Sequence, residues 1–440
     1  MLSKPVITAQ LSFLQPGLKE QLSNKHPLYI LANQINWQLF EENFSKHYRE
    51  DFGRPAKPIR LMVALLMLKH IRNLSDESVV EQWSENGYYQ YFSGGQVFTP
   101  TAPCEASELV HFRHRIGPQG VELILKESIR INGKDGKEDR GSIDTTVQEK
   151  NITYPTDSKL HRRIIKKCHA IADKEGLELR QRYSRTLKRL GIDQRFRNHP
   201  RNGQKARRAD RKVKTIAGRL VRELGPNQYA GELALFCRVL KQKKQDKNKI
   251  YSLHEPDVKC ISKGKEHKKY EFGSKVSITI TRNSGVIIGA LNIPGNDYDG
   301  HTLDAAIDQQ QRLSGHVLKE VAVDRGYRGT SQVRGTQIHT PKPFAKKLNA
   351  YQRIKRRKGF TRRAAIEPKI GHLKADHRLS RNFYKGINGD DINVMLAAAA
   401  MNFKRMMNIW KKNLWQLFYQ FLIKTFCLIK SHSALYAFAK

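Results

Sequence analysis

Between residue 27 and about residue 131, apolar side chains return every three or four positions, which predicts helices. Trp37, Phe40 and Phe44 form one such stripe, and Ile59 to Ile71 is apolar almost throughout. Gly53-Arg-Pro-Ala-Lys-Pro58 breaks the pattern between them, and Leu74-Ser-Asp-Glu reads as a helix start with acids in its first turn. Gly94-Gly95, Pro100 and Pro103 mark loops. A helix near Glu105–Arg115 follows, then a turn at Gly117-Pro118 and a further helix with proline at its first position.

Past the polar stretch Lys134–Arg140, with Gly133 and Gly136 as linker residues, the period changes. Gly141-Ser-Ile-Asp-Thr-Thr-Val147 is short, β-branched and bounded by turn residues, so it predicts a strand. Helical spacing returns around Leu160–Ile171, Tyr183–Leu190 and Val213–Leu224, with Arg195–Arg211 expected as a loop around Pro200 and Gly203. After Pro256, Tyr270–Ile280 and Val286–Ile293 flank Arg282-Asn-Ser-Gly285, a hairpin signal. A helix is expected near Thr302–Leu313 and short strands at Lys319–Val323 and Thr336–Thr340. Next comes a helix carrying Glu367, which Pro368 either starts near Ile366 or kinks. The stretch from Ile392 to about Phe438 predicts packed helices, because Lys404, Arg405, Lys411, Lys412 and Lys424 interrupt its apolar run. This order of elements implies an α/β fold in which the first strand lies beside a later one in a mixed sheet, with helices on its faces.

Charge narrows the field of partners. The 440 residues carry 80 Lys and Arg against 41 Asp and Glu, a formal charge of +39. Such self-repulsion calls for an acidic partner. Nucleic acid answers best, by phosphate neutralisation and counterion release, with a membrane surface as the rival. No uncharged apolar run reaches the roughly 18–20 residues of a spanning helix, and Met1-Leu-Ser-Lys-Pro shows no signal-peptide pattern. Cys104, Cys168, Cys237, Cys260 and Cys427 are scattered and odd in number, which suggests reduced thiols in a cytoplasm rather than disulfides or a zinc site. Residues 151–250 hold 28 Lys and Arg against nine acids, so this helical stretch reads as a basic insertion presenting one charged face. The helix pair ending in His111-Phe-Arg-His-Arg115 permits a helix-turn-helix-like DNA contact, and equally a packing or dimerisation surface.

Against this basic background three acids stand out. Asp144 sits within the first strand, where propensity disfavours it. Asp324 closes the strand Lys319–Val323, and Glu367 lies in a stretch, Pro341–Arg381, with 14 Lys and Arg against two acids. On a helix, Arg363, Glu367 and Lys374 fall with Phe360 inside an arc of about 60°. The predicted sheet order lets the three carboxylates meet at one edge. Three carboxylates without His or Cys suit hard cations, Mg²⁺ or Mn²⁺. Two such ions roughly 3.5–4 Å apart promote phosphoryl transfer.

Three blocks, Ile143-Asp144-Thr-Thr, Asp324-Arg-Gly-Tyr327 and Arg363-x3-Glu367-x6-Lys374, together resemble those of bacterial insertion-sequence transposases of the DDE class. The signature near the third acid in that family is Tyr-x2-Arg-x3-Glu-x6-Lys, with Phe360 here in the tyrosine position. Tyr270-Glu-Phe-Gly-x-Lys275, Ile370-Gly-His-Leu-Lys374 and the helical part from Arg54-Pro to Gly117 are similar too, so the likeness spans roughly residues 40–405. The resemblance implies a ribonuclease-H-like catalytic core at 140–405, interrupted by the basic helical insertion at about 151–250. It also implies a helical DNA-binding or dimerisation domain at 1–133, and the apolar pattern past 405 leaves a helical tail at 406–440. Under it, Asp144, Asp324 and Glu367 are catalytic ligands of two Mg²⁺ ions, with Mn²⁺ as a substitute, and Arg363 and Lys374 contact DNA at the element's end. The partners implied are terminal inverted repeats and target DNA, bound by a homodimer or larger assembly, with no membrane involved. Two alternatives stay open: an inactive or repurposed nucleic-acid-binding protein, and a simple metal-dependent nuclease on the same fold.

Overall fold

The computed structural model describes residues 16–437 except 50–52, 54, 226–228, 244, 263–267, 342–348 and 355–361, with side chains throughout except Arg362 and 414–437. The N-terminal part is helical: α1 (Leu18–Gln21), α2 (Pro27–Gln34), α3 (Trp37–Phe44), α4 (Ile59–Ile71), α5 (Asp76–Glu85), α6 (Gly87–Phe92) and α7 (Ala106–Ile131). Helix α4 is apolar all round and is buried along nearly its whole length, so it is the centre that the others surround. Ser75 caps α5 by accepting the Ser78 N–H at 3.0 Å, ahead of Asp76 and Glu77 in the first turn. Helix α7 bends where expected, at Gly117 with φ of 58°, ahead of Pro118.

The sheet begins with β1 (Arg140–Lys150) and continues with β2 (Lys259–Ile261), β3 (Glu271–Thr281), β4 (Ile287–Ile293), β5 (Glu320–Ala322), β6 (Gln332–Val333), β7 (Thr336–His339) and β8 (Arg381–Asn382). Strand β1 is central. It pairs antiparallel with β3 on one side and parallel with β5 and β8 on the other. Strand β3 carries β4 and β2 on its far edge, and β5 carries β7 in parallel. The fold is therefore α/β with a mixed sheet behind a helical N-terminal region. Almost every residue of β3 is buried, as a strand covered on both faces requires.

Helix α12 (Leu303–Ser314) packs on β4, and α13 (Ile366–Asp376) lies against β1. The last helix, α14, runs unbroken from Gly386 to Ala437 over 52 residues. The expected group of packed helices is thus one helix here, since no Gly or Pro follows Gly389 to interrupt it. Its first half is the seam of the molecule. Leu396, Phe403 and Met407 share one apolar core with Phe40, Leu65, Phe112 and Leu125 of the helical part and with Ile278 and Ile287 of the sheet. Buried Asn402 adds polar stitches, donating to Ser128 Oγ at 3.1 Å and Ile287 O at 2.8 Å while accepting from Ile287 N at 2.9 Å.

Between β1 and β2 stand α8 (Asp157–Glu175), α9 (Ser184–Asp193), α10 (Gly203–Leu224) and α11 (Ala230–Lys241). They bury a second core of their own, with Ile164, Cys168, Val213, Ile216, Leu220 and Phe236 at its centre. Helix α10 begins earlier than expected. Residues 203–211 are helical because Ala206 and Ala209 continue the buried face of Val213, while Arg207, Arg208, Arg211, Lys212 and Lys214 face solvent. Among the described residues no helix is long and apolar enough to cross a membrane.

Candidate active site on the central strand

The parallel register of β1 and β5 sets Ser142 beside Ala322. Two residues further on, β1 carries Asp144, while Asp324 lies two residues past the end of β5, at the turn that follows it. Their carboxylates are held locally. Asp144 Oδ1 accepts from Thr145 N at 2.8 Å. Asp324 caps the short turn Arg325–Tyr327, with Oδ1 accepting from Gly326 N at 2.7 Å. This aspartate-capped turn is what the Asp-Arg-Gly-Tyr block builds.

Gly326 is needed there for space. A Cβ built on it would lie 2.9 Å from Asp324 Oδ1 and 3.2 Å from Asp299 Oδ2. Asp299, which residue type and spacing did not single out, is therefore the near neighbour of Asp324 across Gly326. It is held by Lys275 Nζ at 3.0 Å and Thr145 Oγ1 at 3.1 Å. Beneath this turn Tyr327 is fully buried. Burial pushes its phenol up, and the negative charges of Asp299, Asp144 and Asp324 push the same way.

The third block arrives from the other side. Arg363 lies in the 3₁₀ turn Arg362–Ala365 rather than in the helix, and Glu367 is the second residue of α13. Pro368 falls in the first turn of α13, which Ile366 opens. Arg363 stands between two acids, with Nη1 4.0 Å from Asp144 Oδ2 and Nη2 3.7 Å from Glu367 Oε1. These are ion-pair distances, longer than hydrogen bonds. The Arg363 side chain is 19% exposed and that of Glu367 66%. Lys374 is half-buried on the last turn of α13. Phe360 lies outside the described residues.

Asp144, Arg363 and Glu367 are thus joined as one chain of charge. Lys374 sits about two turns of α13 beyond Glu367, at the far end of that helix. The donor set is carboxylate oxygen throughout, which suits a hard cation. As the side chains stand, no three His, Cys, Asp or Glu among the described residues are close enough to hold a metal ion. The Glu367 carboxylate is turned toward Arg363.

Residues 16–115 match the family described as Transposase domain (DUF772), and residues 239–403 match the Transposase DDE domain. A Rhizobium meliloti protein, "Uncharacterized protein ORF8 in nfe locus", is 43% identical over 185 residues, 41% of this chain and 89% of that relative. The chain belongs to the DDE transposase family. No solved structure matches it. The DDE match spans β3, β4, β5 and α13, and so covers Asp299, Asp324, Arg363, Glu367 and Lys374. Asp144 and most of the helical insertion lie before it.

Proposed function

We propose that this transposase binds the terminal inverted repeats of an insertion sequence, cuts a phosphodiester at the element's end and joins the freed 3′-hydroxyl to target DNA. The single observation that carries this reading is Arg363 bridging Asp144 of β1 and Glu367 of α13, with Asp324 just past the end of β5, the parallel neighbour of β1. On this reading the sheet is the ribonuclease-H-like core of the family, at 140–405. The helical part at 1–133 binds DNA or dimerises, the basic insertion at 151–250 tracks the DNA backbone, and 406–440 is a helical tail.

Asp144 and Asp324 would hold Mg²⁺, and Glu367 would complete the site on turning away from Arg363. Two Mg²⁺ ions, or Mn²⁺ in their place, supply activation of the attacking oxygen and charge stabilisation at the leaving one. Arg363 offers a planar fork for a phosphate flanking the cut, and Lys374 adds a point charge farther along α13. Because the reaction joins two ends, a homodimer or larger assembly on DNA is the working form.

The test is cleavage and strand transfer on a labelled element end beside a scrambled duplex of equal length. The wild type cuts the true end preferentially and makes a joined product. Arg363→Ala erases that preference while keeping general DNA affinity, and Arg363→Lys is damaging despite its charge. Equal cutting of both duplexes without joining would leave a nuclease. The exposed Glu367 carboxylate, leaning on Arg363, favours a second reading as a binding protein without catalysis. Selective binding of the repeats with no cutting in Mg²⁺ or Mn²⁺ would establish that reading instead.

A further inference from the structure

Lys275 lies within β3, its side chain only 8% exposed. A cation so deep in a sheet requires a counter-charge. It finds Asp299, at the start of the 3₁₀ turn Asp299–Thr302 that leads into α12, and it also donates to the Asp297 carbonyl. Taken alone, this pair is a strut that ties the loop after β4 to the sheet.

Three further features exceed what a strut needs. Thr145 Oγ1 donates to the same Asp299 oxygen that Lys275 holds, while Thr145 N–H binds Asp144. One residue thus grips both acids, from opposite faces of β1. The other Asp299 oxygen is directed at Gly326 and shares that cramped space with Asp324 Oδ1. Lastly, the negative charges of Asp299, Asp144 and Asp324 all push the buried Tyr327 phenol the same way. Asp299 therefore touches the supports of both Asp144 and Asp324, while its own Oδ1 is fixed by two donors.

We propose that Asp299 is a positioning residue of the Asp144/Asp324 site, a fourth carboxylate that fixes the Asp324–Tyr327 turn and adds negative charge behind the cation. The inference rests on the reading of that site given under Proposed function. Asp299 is not assigned as a direct ligand. It acts through Thr145 and through the Gly326 backbone, as residues behind the ligands of metal sites do.

The test counts Mn²⁺ bound to the full-length protein by electron paramagnetic resonance, without DNA, and separately titrates Mg²⁺ in the cleavage assay. Asp299→Asn should weaken Mn²⁺ binding about tenfold and raise the Mg²⁺ needed for half-maximal cleavage by a similar factor. Asp297→Asn removes the same charge from an exposed neighbour and should stay within about twofold of wild type. Equal losses in the two variants, or an unchanged Asp299→Asn, would overturn the proposal. If circular dichroism shows Asp299→Asn unfolded, Thr145→Val takes its place. It removes one donor to Asp299 without changing charge and should cost about threefold in Mn²⁺ affinity, and wild-type affinity there would also overturn the proposal. A wild type that binds no Mn²⁺ overturns it outright. Asp299-dependent Mn²⁺ binding in a protein that never cuts DNA would sink the transposase reading and keep this one. Normal cutting with Mn²⁺ affinity indifferent to Asp299 would do the reverse.

Discussion

Gly326→Ala is a small change that separates the site from the fold. The glycine needs no left-handed backbone, so alanine brings no conformational penalty of that kind. Its methyl group would arrive 2.9 Å from Asp324 Oδ1, about 0.5 Å inside ordinary van der Waals contact at 3.4 Å, and 3.2 Å from Asp299 Oδ2. Both obstacles are carboxylate ends rather than backbone, so they yield. The stability cost is then about 1 kcal/mol, the range for overpacking with mobile neighbours, or a few degrees in Tm. Reaction geometry is less tolerant. A misplacement near 1 Å costs on the order of 100-fold in rate, so half that displacement on one catalytic carboxylate predicts a loss of roughly 10-fold or more. The assay pairs a thermal melt with single-turnover cleavage of an element end. A protein that melts like wild type and cuts more than about tenfold more slowly bears the reasoning out. A variant that cuts at the wild-type rate would show that the crowding at Gly326 does not set the position of Asp324.

Asp144→Asn, Asp324→Asn and Glu367→Gln should each abolish cleavage and leave band-shift affinity for DNA largely intact; near wild-type cutting in Mg²⁺ by any one removes that residue from the site. Replacing Arg207, Arg208, Arg211, Lys212 and Lys214 of α10 with Gln should weaken binding to all sequences alike. It should also flatten the plot of log K against log salt by about 0.9 for each phosphate no longer neutralised, whereas an unchanged slope makes this face a solvated surface. Burial pushes the Asp390 carboxyl up to about 6, against the pull of Lys150 and Asn382 and helped by Glu255. Its ordinary value is 3.8, so between these two pH values the native state binds the extra proton and stability falls as pH rises. Asp390→Asn should remove that slope, gaining on wild type by up to roughly 3 kcal/mol from pH 4 to pH 7 in denaturant melts, and parallel curves would refute it. Asn402→Leu leaves both Ile287 backbone groups without the side chain that now bonds them, and should cost about 2–5 kcal/mol in the same melts.

The strands that anchor the site were legible because each carries a local signal. The hairpin of β3 and β4 announces itself by β-branched runs around Asn283-Ser-Gly285, and β5 by a short apolar run ending on an acid. Strands β2, β6 and β8 were not expected, since two or three residues carry no period. The start of α10 reads as loop because its apolar face there consists of Ala206 and Ala209, hidden among arginines beside Pro200 and Gly203. Helix α11 is hidden in the same charged stretch. Asp144, Asp324, Arg363 and Glu367 stand out by residue type and spacing. Asp299 does not, because an aspartate in Asn296-Asp-Tyr-Asp-Gly300 reads as turn chemistry. A signal did exist in its partner: Lys275 is the lone cation within β3, and buried there it requires an acid somewhere in the fold. That Arg363 would stand between Asp144 and Glu367 depends on how α13 docks on β1, which no local pattern encodes.

The order in which the chain leaves the ribosome gives the sheet an unusual timetable. Strand β1 ends at Lys150, yet its partners begin only at Glu271, Glu320 and Arg381. At about 5–20 residues per second, it waits on the order of ten seconds for the first of them. The four helices between close their own core in far less time. During that wait, β1 is an unpaired edge inviting the same strand of a neighbouring nascent chain. The basic helices that follow it carry a strong like charge, which holds such neighbours apart. The helices made first fare no better alone, because part of their core comes from Leu396, Phe403 and Met407. A chain cut short before α14 would therefore be a charged helical module attached to unfinished halves. The assembled site comes into being only when nearly the whole polypeptide has been made.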